Sequence, residues 1–152
     1  RQLVSLELLG TRLSFALVGY VNTNKSFPPQ LTAIRPRWVD RIEADPFSRD
    51  FLAGNQRRIP EYFIPMRRRV GMSAKEEPKP HEIFIVPPEG DPFAVKLNDT
   101  TMVLYSVGAN STNDFAKQVQ NTAQLAFGTD YIIWPPMISL YRQHLKDSQQ
   151  LK

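Results

Sequence analysis

A chain of 152 residues is long enough for one domain with one hydrophobic core and too short to predict two. Its net charge of +4 is mild and comes largely from short arginine clusters. A nucleic-acid-binding protein typically arrays lysine and arginine along one face with aromatic residues between them, so we expect no nucleic-acid binding. The absence of cysteine excludes disulfides and thiolate zinc sites, but it does not fix the compartment.

The first predicted element is a helix over residues 2–22. Thirteen prolines confine long helices to residues 1–27, 99–134 and 137–152, because proline lacks the N–H that a helix interior needs. Within the first of these stretches, leucines recur at three- and four-residue spacing, which places them on one helix face. These are Leu3, Leu6, Leu9, Leu13 and Leu17. We interpret this face as a packing surface, either toward neighbouring subunits or toward the chain's own sheet.

The middle of the chain is less regular. Residues 30–44 carry a second, short helical pattern, and Asp45-Pro46-Phe47 predicts a turn after it. Residues 48–80 are interpreted as an irregular insertion, since no apolar periodicity runs through them. This insertion contains two arginine clusters, Arg57-Arg58 and Arg67-Arg68-Arg69.

Strands dominate the second half. The apolar and β-branched runs at 82–86, 93–96, 101–107 and 131–134 predict four strands, of which 93–96 is a short edge strand. Residues 108–130 between the last two strands are expected to form a polar loop with a helical turn around 115–125. A helical tail over 137–152 follows. Because a helix comes first and strands follow without βαβ alternation, the expected fold is a single α+β domain over residues 1–152. In it, the amphipathic helix packs on a small antiparallel sheet.

Two stretches together resemble pilin-like proteins, specifically the major pseudopilin of type II secretion and the pseudopilin-like secreted proteins of planctomycete-type bacteria. The first is ALVGYVNTNKSFPPQLTAIRPRWVDRIEADPF, residues 16–47. It is similar to the family's helix end, polar turn, aromatic residue before proline, and Asp-Pro-aromatic sequence. The second is MVLYSVGANSTND, residues 102–114, followed by TDYIIWPP, residues 129–136. It is similar to the family's terminal strand, glycine turn with an acidic loop, and closing strand.

The resemblance implies a fold in which the N-terminal helix continues upstream of Arg1 into a membrane-inserted half. It also implies export by a prepilin-type pathway, an extracytoplasmic location with an inner-membrane anchor, and assembly with other pilin-like subunits through helix packing. The first functional hypothesis is therefore a non-enzymatic assembly or secretion-related subunit. The alternative is a free extracytoplasmic module whose arginines, Arg57 to Arg69, bind an acidic protein partner.

The family's loop usually binds calcium, and this chain departs from that pattern. Asn110 stands where the family has aspartate, and the family's glycines are missing after it. The resemblance leaves a candidate ligand set of Asn110, Asp114 and Asp130 with carbonyls near Leu104 and Val107. Two carboxylates predict weak calcium binding at most, and a loop held only by side-chain bonds to backbone is the alternative. We expect no other cofactor.

Enzymatic signatures are missing from the sequence. No Gly-x-Ser-x-Gly, phosphate loop or dinucleotide fingerprint occurs, and His81 and His144 lack metal-ligand spacing. Asp40, Glu43 and Asp45 could in principle do acid–base work in a carbohydrate-active enzyme, but a solvated helix end is the preferred interpretation. We therefore expect no enzymatic activity.

Overall fold

The computed structural model describes residues 1–48, 58–69, 72–87, 90–120 and 129–150, and it has the expected α+β architecture. Its elements in chain order are helix α1 (Gln2–Asn24), a 3₁₀ helix (Leu31–Ile34), strands β1 (Glu61–Phe63), β2 (His81–Val86), β3 (Phe93–Leu97), β4 (Val103–Ser106), β5 (Gln118–Gln120) and β6 (Tyr131–Trp134), and helix α2 (Met137–Asp147). The long helix therefore comes first and the strands follow.

Helix α1 buries one face and exposes the other. Its buried positions include Leu6, Leu9, Leu13 and Leu17, as the three- and four-residue spacing predicts. The helix ends where Lys25 adopts a left-handed conformation with φ 56°, and the Lys25 N–H donates to the carbonyl of Val21. The observed helix is two residues longer at its C-terminal end than the predicted 2–22.

The strands form two three-stranded sheets. The first has the order β1-β4-β6 and is antiparallel throughout. The second has the order β3-β2-β5, with β2 antiparallel to β3 and parallel to β5. Strand β3 lies at an edge, as predicted for residues 93–96. Strand β4 is the middle strand of the first sheet, so the segment with the strongest strand pattern occupies the most buried position.

Two core clusters lie on opposite sides of β4. Val103 and Tyr105 belong to the cluster between the two sheets, which α2 closes with Leu140. Met102 and Leu104 belong to the cluster beneath α1. Because both faces of β4 are covered, its sequence is apolar without the strict alternation of a half-exposed strand.

Three sequence expectations are corrected. Residues 30–44 are not a helix beyond Leu31–Ile34, because Arg35 before Pro36 is extended (ψ 155°). Instead of the helical turn expected around 115–125, residues 118–120 form a strand parallel to β2. A strand of three residues is too short to show a periodic pattern in the sequence. Residues 121–128 lie outside the described part of the chain. Residues 61–63 in the irregular segment 48–80 form β1, which pairs with β4.

Candidate functional site

The loop that follows β4 is held from two sides at Ala116. The N–H of Ala116 donates to Oδ2 of Asp130 at 2.7 Å, and its carbonyl lies 3.0 Å from Nε2 of His81. Phe115 and Ala116 both have left-handed backbone, with φ 58° and 51°, which residues other than glycine rarely adopt. Since Asp130 precedes β6 and His81 begins β2, the two bonds connect this strained loop to both sheets.

Asp130 is a buried carboxylate with one oxygen that lacks a partner. Its side chain is 1% exposed, and Oδ1 has no hydrogen-bond partner within the described residues. Burial raises the pKa of Asp130 to about 6, and the charges of Asp114 and Glu61 add to the rise, while the N–H groups of Ala116 and Asp114 oppose it. An unpartnered buried carboxylate oxygen is a position at which a proton or a cation is stabilised.

The structure brings together only part of the candidate calcium ligand set. Asp114 lies beside Asp130, close enough that its charge and its N–H both affect the pKa of Asp130. Val107 precedes Gly108, at which an added Cβ would lie 2.1 Å from the carbonyl oxygen of Thr129, and the Val107 N–H donates to Asp45.

Two other members of the ligand set are placed differently. The Asn110 side chain is exposed, and its Oδ1 accepts the N–H of Thr112 at 2.9 Å. Leu104 pairs with Tyr62 and Trp134 in the middle of the first sheet. Within the described ranges, no group of three or more histidine, aspartate or glutamate side chains could hold a metal ion.

The arginine clusters meet in one cleft. Arg58, Arg67, Arg68 and Arg69 all line a cleft of about 740 Å³ that runs past β1, although Arg58 is nine residues before Arg67 in the sequence. Arg57 lies outside the described residues. In the part of the chain that the structure describes, the salt bridges are Arg12–Glu43 and Lys96–Glu82, and neither involves a cleft arginine.

Arg69 is held in place by two neighbours in the cleft wall. Its guanidinium lies 3.6 Å from the ring centroid of Phe63, and its Nη2 lies 3.4 Å from Nδ1 of His81. This geometry fits a neutral His81 that donates through Nε2 to Ala116 and accepts at Nδ1 from Arg69. Burial is the main reason that the pKa of His81 is lowered, and the charge of Arg69 lowers it further.

Polar side chains also line the cleft. The hydroxyl of Tyr105 donates to Oδ1 of Asn113 at 2.8 Å, and the Tyr62 hydroxyl donates to the carbonyl of Pro28 at 2.8 Å. Burial raises the pKa of Glu61, and the nearby Arg58 partly offsets that rise. The cleft lining therefore combines arginine side chains with oriented hydroxyl and amide groups.

The leucines expected to contact a partner face the chain's own core. Leu6, Leu9, Leu13 and Leu17 are at most 5% exposed, and Leu3 is half-buried. Of the two interpretations of this face, packing on the chain's own sheet is the one that the structure supports.

A second apolar row on α1 is exposed. Val4, Leu8, Phe15 and Val18 lie on the opposite face, and Phe15 is 75% exposed. With Thr11 in the middle, the spacing of this row alternates between four and three residues, which is the pattern of a coiled-coil seam. The same spacing is present in the sequence and could have identified the row. Together with the leucine face, Leu8, Phe15 and Val18 predict a helix buried on more than half its circumference. That prediction is wrong, because all three side chains are exposed.

An apolar groove flanks this exposed row. It has a volume of about 470 Å³ and is formed by α1 on one side and β6 with the start of α2 on the other. Gly10 forms its narrowest part, since a Cβ there would lie 2.8 Å from Ile133. Glu7, on the groove wall, accepts a hydrogen bond from the hydroxyl of Tyr131.

The acidic residues before β1 do not form a solvated cluster as expected. Asp45 is 1% exposed, and its carboxylate accepts hydrogen bonds from the Ser106 hydroxyl at 2.8 Å and from the N–H groups of Val107 at 3.2 Å and Phe47 at 2.9 Å. Asp45 thus joins the turn after the 3₁₀ helix to the end of β4. Asp40 remains exposed.

Among the described residues, α1 is the one helix long and apolar enough to cross a membrane, with a mean hydropathy of 1.3 over 18 residues. This is weak support for a membrane segment, because core helices and signal sequences share these properties. Comparison with known proteins finds no matching family model, no matching curated protein and no matching solved structure.

Proposed function

We propose that the protein is a non-enzymatic, extracytoplasmic subunit of the pseudopilin-like type, which assembles with a second copy of itself through the exposed row of α1. The row consists of Val4, Leu8, Thr11, Phe15 and Val18. Its alternating four- and three-residue spacing is the single observation that carries the proposal.

The length of the row suits helix pairing. From Val4 to Val18 it covers 15 residues. The 14 steps between them, at 1.5 Å each, give a length of roughly 21 Å. A phenylalanine that is 75% exposed in the middle of a stable helix exposes a large apolar area to water. Packing against the same row of another copy would remove that area from solvent, and Thr11 would be the polar residue in the seam.

The contacts between the resembling stretches support the pseudopilin-like part of the proposal. Asp45, in the first stretch, accepts hydrogen bonds from Ser106 and Val107 in the second. The Ser111 hydroxyl donates to the carbonyl of Phe47 at 2.8 Å, again between the two stretches. The segments that carry the resemblance therefore form one contiguous unit with α1.

The proposal includes a weak calcium site at Asp130 and Asp114. The unpartnered Oδ1 of Asp130 fits a cation, and Asp114 supplies a second carboxylate nearby. These two residues, with backbone carbonyls of the same loop, would hold the ion, which would neutralise the paired carboxylates and stabilise the loop. Two carboxylates correspond to weak binding.

The test of assembly replaces Phe15. Phe15→Glu should weaken self-association about tenfold or more, since full burial of a phenylalanine side chain stabilises by about 1.5–3 kcal/mol. Ser5→Glu is the matched control, because Ser5 is exposed on the same helix but lies off the row. Sedimentation velocity over a concentration series measures the association. Equal behaviour of the two variants, or a monomeric unmodified protein at all concentrations, would refute assembly through this row.

A cross-linking experiment provides an independent readout. The chain has no cysteine, so a single introduced thiol reports only on its own position. Thr11→Cys, at the centre of the row, should form an intermolecular disulfide under mild oxidation, and Ser5→Cys should form much less. If Ser5→Cys cross-links as readily as Thr11→Cys, the contact between copies does not use the exposed row.

A further inference from the structure

We propose that the arginine cleft binds an extended acidic segment of a partner protein, which pairs with the free edge of β1 as an added strand. The cleft is the one lined by Arg58 and Arg67–Arg69. It is separate from the exposed row of α1, so this binding activity goes beyond assembly.

The charge of the cleft favours a carboxylate-rich ligand. Four arginines line it against one carboxylate, Glu61, and none of them forms a salt bridge within the described ranges. Arg67 and Arg68 are exposed, with the Arg68 guanidinium donating to the carbonyls of Ser73 and Ala74 at 3.3 and 3.2 Å. Backbone carbonyls orient this guanidinium without cancelling its charge, which leaves it able to pair with a ligand carboxylate.

The backbone of β1 favours an extended ligand. Strand β1 lies at the edge of the sheet β1-β4-β6. Apart from its pairing with β4, none of the backbone groups of Glu61–Phe63 has a backbone partner among the described residues. The cleft is lined by residues from both faces of this sheet. Phe63 packs with Tyr105 in the core cluster on one face, and Tyr62 packs against the core cluster beneath α1 on the other face. A cleft that contacts residues of both faces runs along the edge itself, which is where strand addition occurs.

An adjoining cleft extends the surface and adds an apolar contact. It has a volume of about 620 Å³ and shares Arg67, Arg69 and Phe115 with the first. Its other charged lining residues are Lys79, Lys117, Glu76 and Glu77. Phe115, 50% exposed, lies where the two clefts meet. Its left-handed backbone and the Asn113 Oδ1 that accepts its N–H at 2.9 Å hold it there. The four cationic side chains of the adjoining cleft outnumber its two carboxylates, so the surface suits acidic residues that flank an apolar one.

Binding is tested with a fluorescein-labelled heptapeptide of sequence Glu-Asp-Glu-Phe-Glu-Asp-Glu, measured by fluorescence anisotropy at about 50 mM salt. Arg67→Gln/Arg68→Gln should weaken binding about tenfold or more. Arg41→Gln/Arg142→Gln is the matched control, since both arginines are exposed outside the cleft and each double variant lowers the net charge from +4 to +2. The control should change binding less than twofold.

Three further outcomes decide the proposal. A backbone N-methylated peptide with the same charges should bind at least fivefold more weakly, because it cannot complete the hydrogen bonds of an added strand. Equal binding of the methylated and unmethylated peptides would overturn strand addition. Equal losses in both double variants would reduce the effect to general charge, and tighter binding of a single-stranded oligonucleotide than of the peptide would replace the acidic protein partner with a nucleic acid.

Discussion

Replacing Asp130 tests the electrostatic account of the loop. The folded protein raises the pKa of Asp130 from 3.8 to about 6, which corresponds to roughly 3 kcal/mol between its two protonation states. Because the pKa is raised on folding, the stability that Asp130 contributes is fully present below about pH 4 and decreases as the pH rises through about 6. At neutral pH the charged, buried carboxylate therefore reduces the free energy of unfolding.

Asp130→Asn removes this charge and keeps an oxygen that can accept the N–H of Ala116. Relative to the unmodified protein, the variant should gain up to about 3 kcal/mol between pH 4 and pH 7.5. Urea unfolding followed by tryptophan fluorescence at several pH values measures it. The difference between the two proteins is the relevant quantity, because the lowered pKa of His81 acts in the opposite direction in an overlapping pH range. A pH-independent difference would refute the reasoning.

Calcium supplies a second arm of the same experiment. If the dissociation constant is about 1 mM, about 10 mM calcium at pH 7.5 should stabilise the unmodified protein by about 1.4 kcal/mol. Asp130→Asn should not respond, because the oxygen that lacks a partner is gone. An equal calcium response in both proteins would place any bound ion elsewhere in the chain.

Two stability predictions concern residues within the two stretches that resemble pilin-like proteins. Asp45→Ala should lower the free energy of unfolding, measured with urea, by about 3–5 kcal/mol, because it leaves three hydrogen-bond donors without their acceptor. The control Asp40→Ala, at an exposed position, should change this free energy by less than about 0.5 kcal/mol. Gly108→Ala should destabilise far more than Gly90→Ala. Both glycines have positive φ, but an added Cβ at Gly108 meets the Thr129 carbonyl oxygen at 2.1 Å. At Gly90, no heavy atom of the described residues lies within 4 Å of the added Cβ, apart from the glycine itself and its chain neighbours. Equal losses within either pair would contradict these roles.

Periodicity predicted the long elements well and the short ones poorly. The leucine spacing located α1 and its buried face, and the β-branched run located β4. Strands β1 and β5 have three residues each, which is too few for a repeat to be seen, and each is defined by the strand that it pairs with. The helix expected over 30–44 failed because the backbone requirement of Pro36 outweighed the apolar spacing around it.

In the candidate sites, the residue types were visible in the sequence, but their arrangement depends on contacts between distant segments. The arginine clusters were visible as residue types, but the cleft that they line also includes Tyr105 and Asn113. The pairing of β1 with β4 joins these segments, which lie about 40 residues apart in the sequence. The pairing of Asp130 with Ala116 likewise depends on how the loop folds back. Asp45 looked like a surface carboxylate, because nothing in its neighbours along the chain indicates that Ser106 and Val107 would cover it.

By itself, the sequence determined the α+β class, the helix that comes first with its leucine face, and the run that forms β4, since each depends on interactions between near neighbours along the chain. The tertiary structure alone decided that the leucine face packs on the chain's own core, which strand edge is free and where the charged groups meet. Those properties depend on contacts between distant segments, and local spacing carries no information about which distant segments will pack together.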